Sequence, residues 1–382
     1  MGFDLKRNSI SSIALSFAFI LGPFALSNPV LSEESESAEI RLPEVTGPYR
    51  VGTSVWHWQE QPEDIDNRVL EVMAQLWYPS NVVEGSSARY RPMGGEPFDR
   101  VRQSSVGLAP FASMSDKVPV VVFCPGRGTN RYYYTSLAED LASRGFAVFS
   151  LDIPEIGYVE FPDGRVIEPS EKYRPSFELI TGPYEKVDAF FEPAVEIGLS
   201  HLRFALEKLA SLNENDPAGI VTGRLRMQTI GAFGHSLGGR ICGAWAGSDS
   251  RAVAFAAMEG VPPRQVRQGG MAAASLMLYS SELPEEMALP NIREVFDNRK
   301  AEATILRLEG FGHNSVTDRP IIFPNNFDLQ ISPGNGIRVS RNILSAFFEA
   351  HLKDGIFSPE ELAAAPEVSL IETSISTSQE GH

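Results

Sequence analysis

Residues 229–239, Thr-Ile-Gly-Ala-Phe-Gly-His-Ser-Leu-Gly-Gly, leave the chain little choice of local structure. Small, β-branched and aromatic residues lead in, as suits a buried strand, and 240–245 read as the start of a helix. A strand that turns at once into a helix forces Ser236 into strained backbone geometry. It also crowds the positions on either side, so that only residues without a Cβ fit at Gly234 and Gly238. Such a turn lifts the Ser236 hydroxyl above the sheet and aims a helix N-terminus at any anion forming beside it. Gly-x-Ser-x-Gly between a strand and a helix therefore predicts an activated serine nucleophile.

The rest of the chain supplies a scaffold for such a turn. Residues 47–58 mix aromatic and β-branched residues as a strand does, and 68–78 read as its antiparallel partner, stopped by Pro79. Residues 118–123 form a continuous apolar run typical of a strand buried on both faces. A Pro-Gly-Arg-Gly loop, a helix over 132–145 and a second buried strand over 146–151 follow. Further apolar strands are expected at 252–258, 272–279 and 303–308, with a closing helix at 335–352. This alternation predicts an α/β fold: a mostly parallel, doubly wound sheet flanked by helices, with an N-terminal antiparallel strand pair. Residues 154–184, rich in proline and aromatics, break the rhythm and read as a lid-like insertion. A helix is expected to begin at Pro193, where a missing N–H costs nothing, and run to 212. Its apolar stripe is Val195, Leu199, Leu202, Leu206 and Leu209; His201 falls off the stripe and reads as a surface residue. The domain is expected to span 33–355, with 356–382 a flexible tail.

Residues 1–32 have the form of a secretory signal, with Lys6 and Arg7 ahead of an apolar segment. An exported protein is expected, the alternative being an N-terminal membrane anchor. A net charge of -16 argues against nucleic acid and against docking on anionic membranes. The two cysteines, Cys124 and Cys242, do not make a disulfide scaffold, and both read as small buried residues. The six histidines are scattered and no metal-ligand spacing occurs, so neither a metal nor a cofactor is expected. Oligomeric state is not encoded in any recognisable pattern.

A serine needs a base to take its proton, and the base needs a carboxylate to orient it. α/β-Hydrolases place these groups in the order Ser, acid, His at the C-terminal ends of strands. His313, in a Gly-Phe-Gly-His loop after the last parallel strand, is the candidate base. His235 adjoins the serine, but its side chain points away from it. Two carboxylates compete for the acid: Glu259 ends the strand after the elbow helix, and Glu282 ends the next. Spacing alone leaves them level, with Glu285 a distant third. The oxyanion hole is expected from the backbone N–H groups of Leu237 and Arg127. The Arg127 side chain reads as outward and solvated, the alternative being attraction of a charged head group or carboxylate.

With these residues placed, the chain resembles the secreted, plasma-type platelet-activating factor acetylhydrolases and their bacterial relatives, which border on dienelactone-hydrolase-like esterases. The similar stretches are residues 47–52, 76–79, 118–128, 141–148, 234–239 and 312–314; Leu-Trp-Tyr-Pro at 76–79 and Ala-Ser-Arg-Gly-Phe at 142–146 are the more telling ones. The resemblance implies a calcium-independent serine hydrolase of short or oxidised sn-2 acyl chains of phospholipids. It also implies that the acid sits on the strand directly after the elbow helix, which favours Glu259. The chain departs from that family in carrying glutamate there rather than aspartate, and Pro125-Gly126 where the family has His-Gly. Other ester hydrolases on the same scaffold, dienelactone, polyester or short-chain, remain alternatives. A catalytically silent binding protein is the alternative from a different class.

Overall fold

The computed structural model describes residues 38–61, 69–82, 85, 87–282 and 284–374. The expected signal at 1–32 lies outside these residues. Ten strands build one sheet: β1 (Arg50–Glu60), β2 (Leu70–Ser80), β3 (Val106–Gly107), β4 (Val118–Cys124) and β5 (Ala147–Asp152), then β6 (Leu225–His235), β7 (Ala252–Met258), β8 (Ala274–Ser280), β9 (Ala303–Leu308) and β10 (Val368–Thr373). Their order is β10-β9-β8-β7-β6-β4-β5-β2-β1-β3. Strands β4 to β9 run parallel. The pair β1 and β2 is antiparallel over its full length, and β2 is antiparallel to β5. Pro79 does not stop β2: it pairs with Val51, next to the last residue of the strand.

The helices cover both faces because both faces are apolar. Helices α2 (Tyr184–Glu214), α3 (Leu237–Ala246) and α4 (Glu285–Asp297) pack on one cluster of buried side chains. Helices α1 (Thr135–Ser143) and α5 (Pro333–Lys353) close the other. The seven residues of β4, Val-Pro-Val-Val-Val-Phe-Cys, are all buried, as a central strand with both faces covered requires. The chain leaves β4 for β5 on one side and returns to β6 on the other. That reversal opens a crevice at the C-terminal ends of β4 and β6, where open α/β sheets bind ligands.

Three further features differ from expectation. Helix α2 begins at Tyr184, nine residues before Pro193, which lies inside it. Tertiary contacts hold the extra turns: Asp188 bonds Arg240 (2.8 Å) and Arg267 (2.9 Å), and Arg240 donates to the Tyr184 hydroxyl (2.8 Å). These outweigh the one backbone donor that proline removes. His201 is buried and donates from Nδ1 to the Ile197 carbonyl (2.7 Å), so the hydrogen bond it makes to its own helix removes its need for solvent. The segment after 355 is not a tail through residue 374. It forms the short helix Pro359–Leu362 and then β10, antiparallel to β9. At the edge of the sheet, Val368 and Leu370 pack on one core cluster and Ile371 on the other, and the Thr304 and Thr373 hydroxyls pair between the two strands (2.9 Å). Residues 375–382 lie outside the described part.

One buried acid makes stability depend on pH. Asp318 accepts from the Ser136 amide and the Tyr90 hydroxyl, both at 3.2 Å, and burial pushes its pKa from 3.8 to about 7. The folded chain thus holds a proton there that the unfolded chain has released. Its contribution is full below pH 3.8 and is lost as pH rises to about 7. Asp318→Asn mimics the protonated form. Melting followed from pH 4 to pH 8 is expected to fall less steeply for Asp318→Asn than for the parent; identical slopes would rule this out.

Candidate active site

The strand register sets the site. Gly234 of β6 lies opposite Cys124 of β4, and His235 lies opposite Met258 of β7. The next residues of the three strands, Ser236, Pro125 and Glu259, therefore emerge side by side. Ser236 has φ 55° and ψ −123°, the strained turn expected of it. A Cβ at Gly234 would lie 2.2 Å from the Gly238 carbonyl oxygen, and one at Gly238 would lie 2.0 Å from that of Cys124. Both glycines are thus required by the close approach of backbone. Gly260 is a third: its Cβ would meet the Ser236 carbonyl oxygen at 2.4 Å, a constraint visible only once β7 stands beside the elbow.

His313 follows β9, in a loop tied back by reciprocal bonds between Gly312 and Ser315, both 2.9 Å. The two candidate acids meet different parts of it. Glu259, itself at φ 57° and buried, has Oε2 3.8 Å from the His313 Nδ1. That is an ion-pair distance just beyond a hydrogen bond, and catalytic bonds often tighten only once substrate is bound. No hydrogen-bond partner satisfies this Glu259 oxygen among the described residues. Glu282 accepts instead from the His313 backbone N–H, at 2.7 Å. One carboxylate thus faces the ring and the other holds the loop.

On the opposite side, the loop after β4 comes up against the elbow. A Cβ at Gly126 would sit 3.0 Å from His235 Nδ1 and 3.3 Å from the Ser236 Cβ. Tyr134, which sequence reasoning overlooked, pins the two together. Its hydroxyl accepts from the Gly126 N–H (3.2 Å) and lies 2.7 Å from His235 Nδ1. The Thr129 hydroxyl, which donates to the Gly126 carbonyl (2.7 Å), completes the network at 3.2 Å from the Tyr134 hydroxyl. Burial, and then the His313 charge, push the His235 pKa well below its usual value, which favours a neutral ring beside the tyrosine. The only trace in the sequence is the Tyr-Tyr-Tyr run at 132–134, which does not say which ring turns inward.

Ser236, Leu237, Arg127, Glu259 and His313 all line one cavity of about 460 Å³, within the usual range for a small-molecule site. Its far walls are mostly apolar: Ile180, Val187 and Phe191 on one side, Met287, Pro290 and Ile292 on the other. The 154–184 insertion thus contributes directly to the cavity. The Arg127 side chain is not outward and solvated as expected. It is 8% exposed and donates to the Ser170 carbonyl of the insertion (2.7 Å), which covers it. Among the described residues, no three His, Cys, Asp or Glu side chains group to hold a metal, and no helix is long and apolar enough to cross a membrane.

The family described as platelet-activating factor acetylhydrolase, isoform II, matches residues 99–153. That stretch carries β4, the Pro125-Gly126-Arg127 loop, Tyr134 and β5. A ferulic acid esterase from Streptomyces cinnamoneus has the same architecture, with 27% identity and a TM-score of 0.72, over 88% of this chain and all of that one. The chain is an α/β-hydrolase similar to the platelet-activating factor acetylhydrolases. Among curated proteins no relative matches it. In this α/β-hydrolase the family match ends short of Ser236, Glu259 and His313.

Proposed function

We propose that the chain is a carboxylic-ester hydrolase working through an acyl-enzyme on Ser236. The observation that carries this reading is the convergence, on one cavity, of a strained serine, a histidine backed by a buried glutamate, and the amides of Leu237 and Arg127. His313 takes the Ser236 proton as the hydroxyl oxygen attacks the ester carbonyl. Glu259 holds the ring in the tautomer that leaves Nε2 free to accept, and stabilises the imidazolium that results. The Leu237 and Arg127 N–H groups receive the developing oxyanion. His313 then protonates the leaving alcohol, and water, activated by the same base, releases the acid.

The acetylhydrolase resemblance supports short or oxidised sn-2 acyl chains of phospholipids as substrates. The apolar cavity and the ferulic acid esterase neighbour support a second reading, a bulkier acyl group such as a hydroxycinnamoyl. Export rests on the sequence of residues 1–32. A panel of p-nitrophenyl butyrate, a short-chain phospholipid, a hydroxycinnamoyl ester, a polyester film and an aminoacyl amide, read beside fluorophosphonate labelling of Ser236, tests the proposal. Ester turnover with labelling is expected. Neither on any ester would leave a binding protein on a hydrolase scaffold.

A further inference from the structure

Two arginines line the cavity, and the fold treats them differently. Arg240 is neutralised: Asp188 and the Tyr184 hydroxyl take its donors at 2.8 Å, and the rings of Tyr184 and Phe191 lie 5.1 and 5.5 Å from its guanidinium. Arg127 is buried to the same degree without that company. Among the described residues, its one side-chain hydrogen bond goes to a neutral carbonyl, that of Ser170. The nearest carboxylate, Glu171, is 4.0 Å away, largely exposed, and bonded to Arg174 at 3.1 Å. Its Nε is buried with no partner among the described residues. Glu286 also lines the cavity, but on the exposed first turn of α4, where water screens its charge.

A buried cation short of a counter-charge is costly, and its burial pulls the Arg127 pKa down. The shortfall is tolerated where a ligand supplies the missing anion. We propose that Arg127 is a specificity-determining residue that recognises a carboxylate or phosphate carried by the ester, within one arginine side chain of the scissile carbonyl. The inference rests on the esterase reading, because the Arg127 backbone fixes where that carbonyl must lie. Gly126, the residue before it, approaches the Ser236 Cβ. An anion there completes the guanidinium fork, which Ser170 occupies at one nitrogen only.

The anion has two possible sources, and matched ester pairs separate them. Monoethyl adipate against ethyl pentanoate places the charge on the acyl side. Dibutyryl glycerophosphate against dibutyrylglycerol places it on the alcohol side. The parent is expected to favour the anionic member of one pair by about tenfold or more in kcat/KM, the scale of one charged hydrogen bond. Arg127→Gln is expected to abolish that ratio and Arg127→Lys to keep part of it, with each variant's melting curve as the reference for folding. If the parent hydrolyses both members of each pair equally, or if Arg127→Gln lowers both in proportion, Arg127 merely fastens the insertion and the inference is overturned. No turnover of any ester would overturn the esterase reading as well, a distinguishable result.

Discussion

Ser236→Ala is expected to lower kcat on any accepted ester by roughly 10⁵-fold or more, the scale seen when a triad nucleophile is removed. That corresponds to about 7 kcal/mol of lost transition-state stabilisation. The loss falls on kcat rather than on binding, because the apolar cavity walls and the amides of Leu237 and Arg127 are untouched. Alanine keeps the Cβ and with it the strained φ of 55°, so the fold has nothing to relax into. The melting temperature is expected to stay within about 2 °C of the parent, since no buried contact is lost. Residual turnover well above the buffer rate is expected from the oxyanion donors alone. Turnover within tenfold of the parent would show that the elbow serine is not the nucleophile.

The elbow was legible in the sequence because its requirements are local. Gly234, Gly238 and the strand-to-helix switch lie within a few residues of Ser236, and steric crowding admits no other residue there. The central strands were legible for a similar reason: a strand buried on both faces must be apolar throughout, as β4 is. What escaped depends on partners far along the chain. The Arg127 side chain looked solvent-bound until Ser170, forty-three positions on, covered it. The start of α2 was masked by Pro193, since the contacts of Asp188 with Arg240 and Arg267 cannot be read from helical periodicity. The last strand escaped because its apolar residues, Val368, Leu370 and Ile371, stand among Ser369, Glu372 and Thr373 without a regular alternation, and only pairing with β9 brings them onto the core. The acid stood between these cases: both glutamates end strands, so only the packed arrangement separates the ring of His313 from its backbone.

Glu259→Gln is expected to cost roughly 10³- to 10⁴-fold in kcat, whereas Glu282→Gln stays within about tenfold of the parent. The difference follows from what each carboxylate meets. At position 259 an amide would offer an N–H to His313 Nδ1 in place of a charge. The ring would then accept at Nδ1 and carry its proton on Nε2, the nitrogen that must remove the Ser236 proton. The imidazolium formed during attack would also lose its counter-charge. At position 282 the carboxylate accepts one backbone N–H, at 2.7 Å, and the glutamine oxygen can do the same. Glu282→Ala, which removes the acceptor, is expected to loosen the 310–315 loop and to cost more than Glu282→Gln. A structural anchor predicts that order, alanine worse than glutamine. A catalytic acid at 282 predicts that glutamine and alanine are equally damaging and that Glu259→Gln is tolerated; kcat values for the three variants on one ester decide between them.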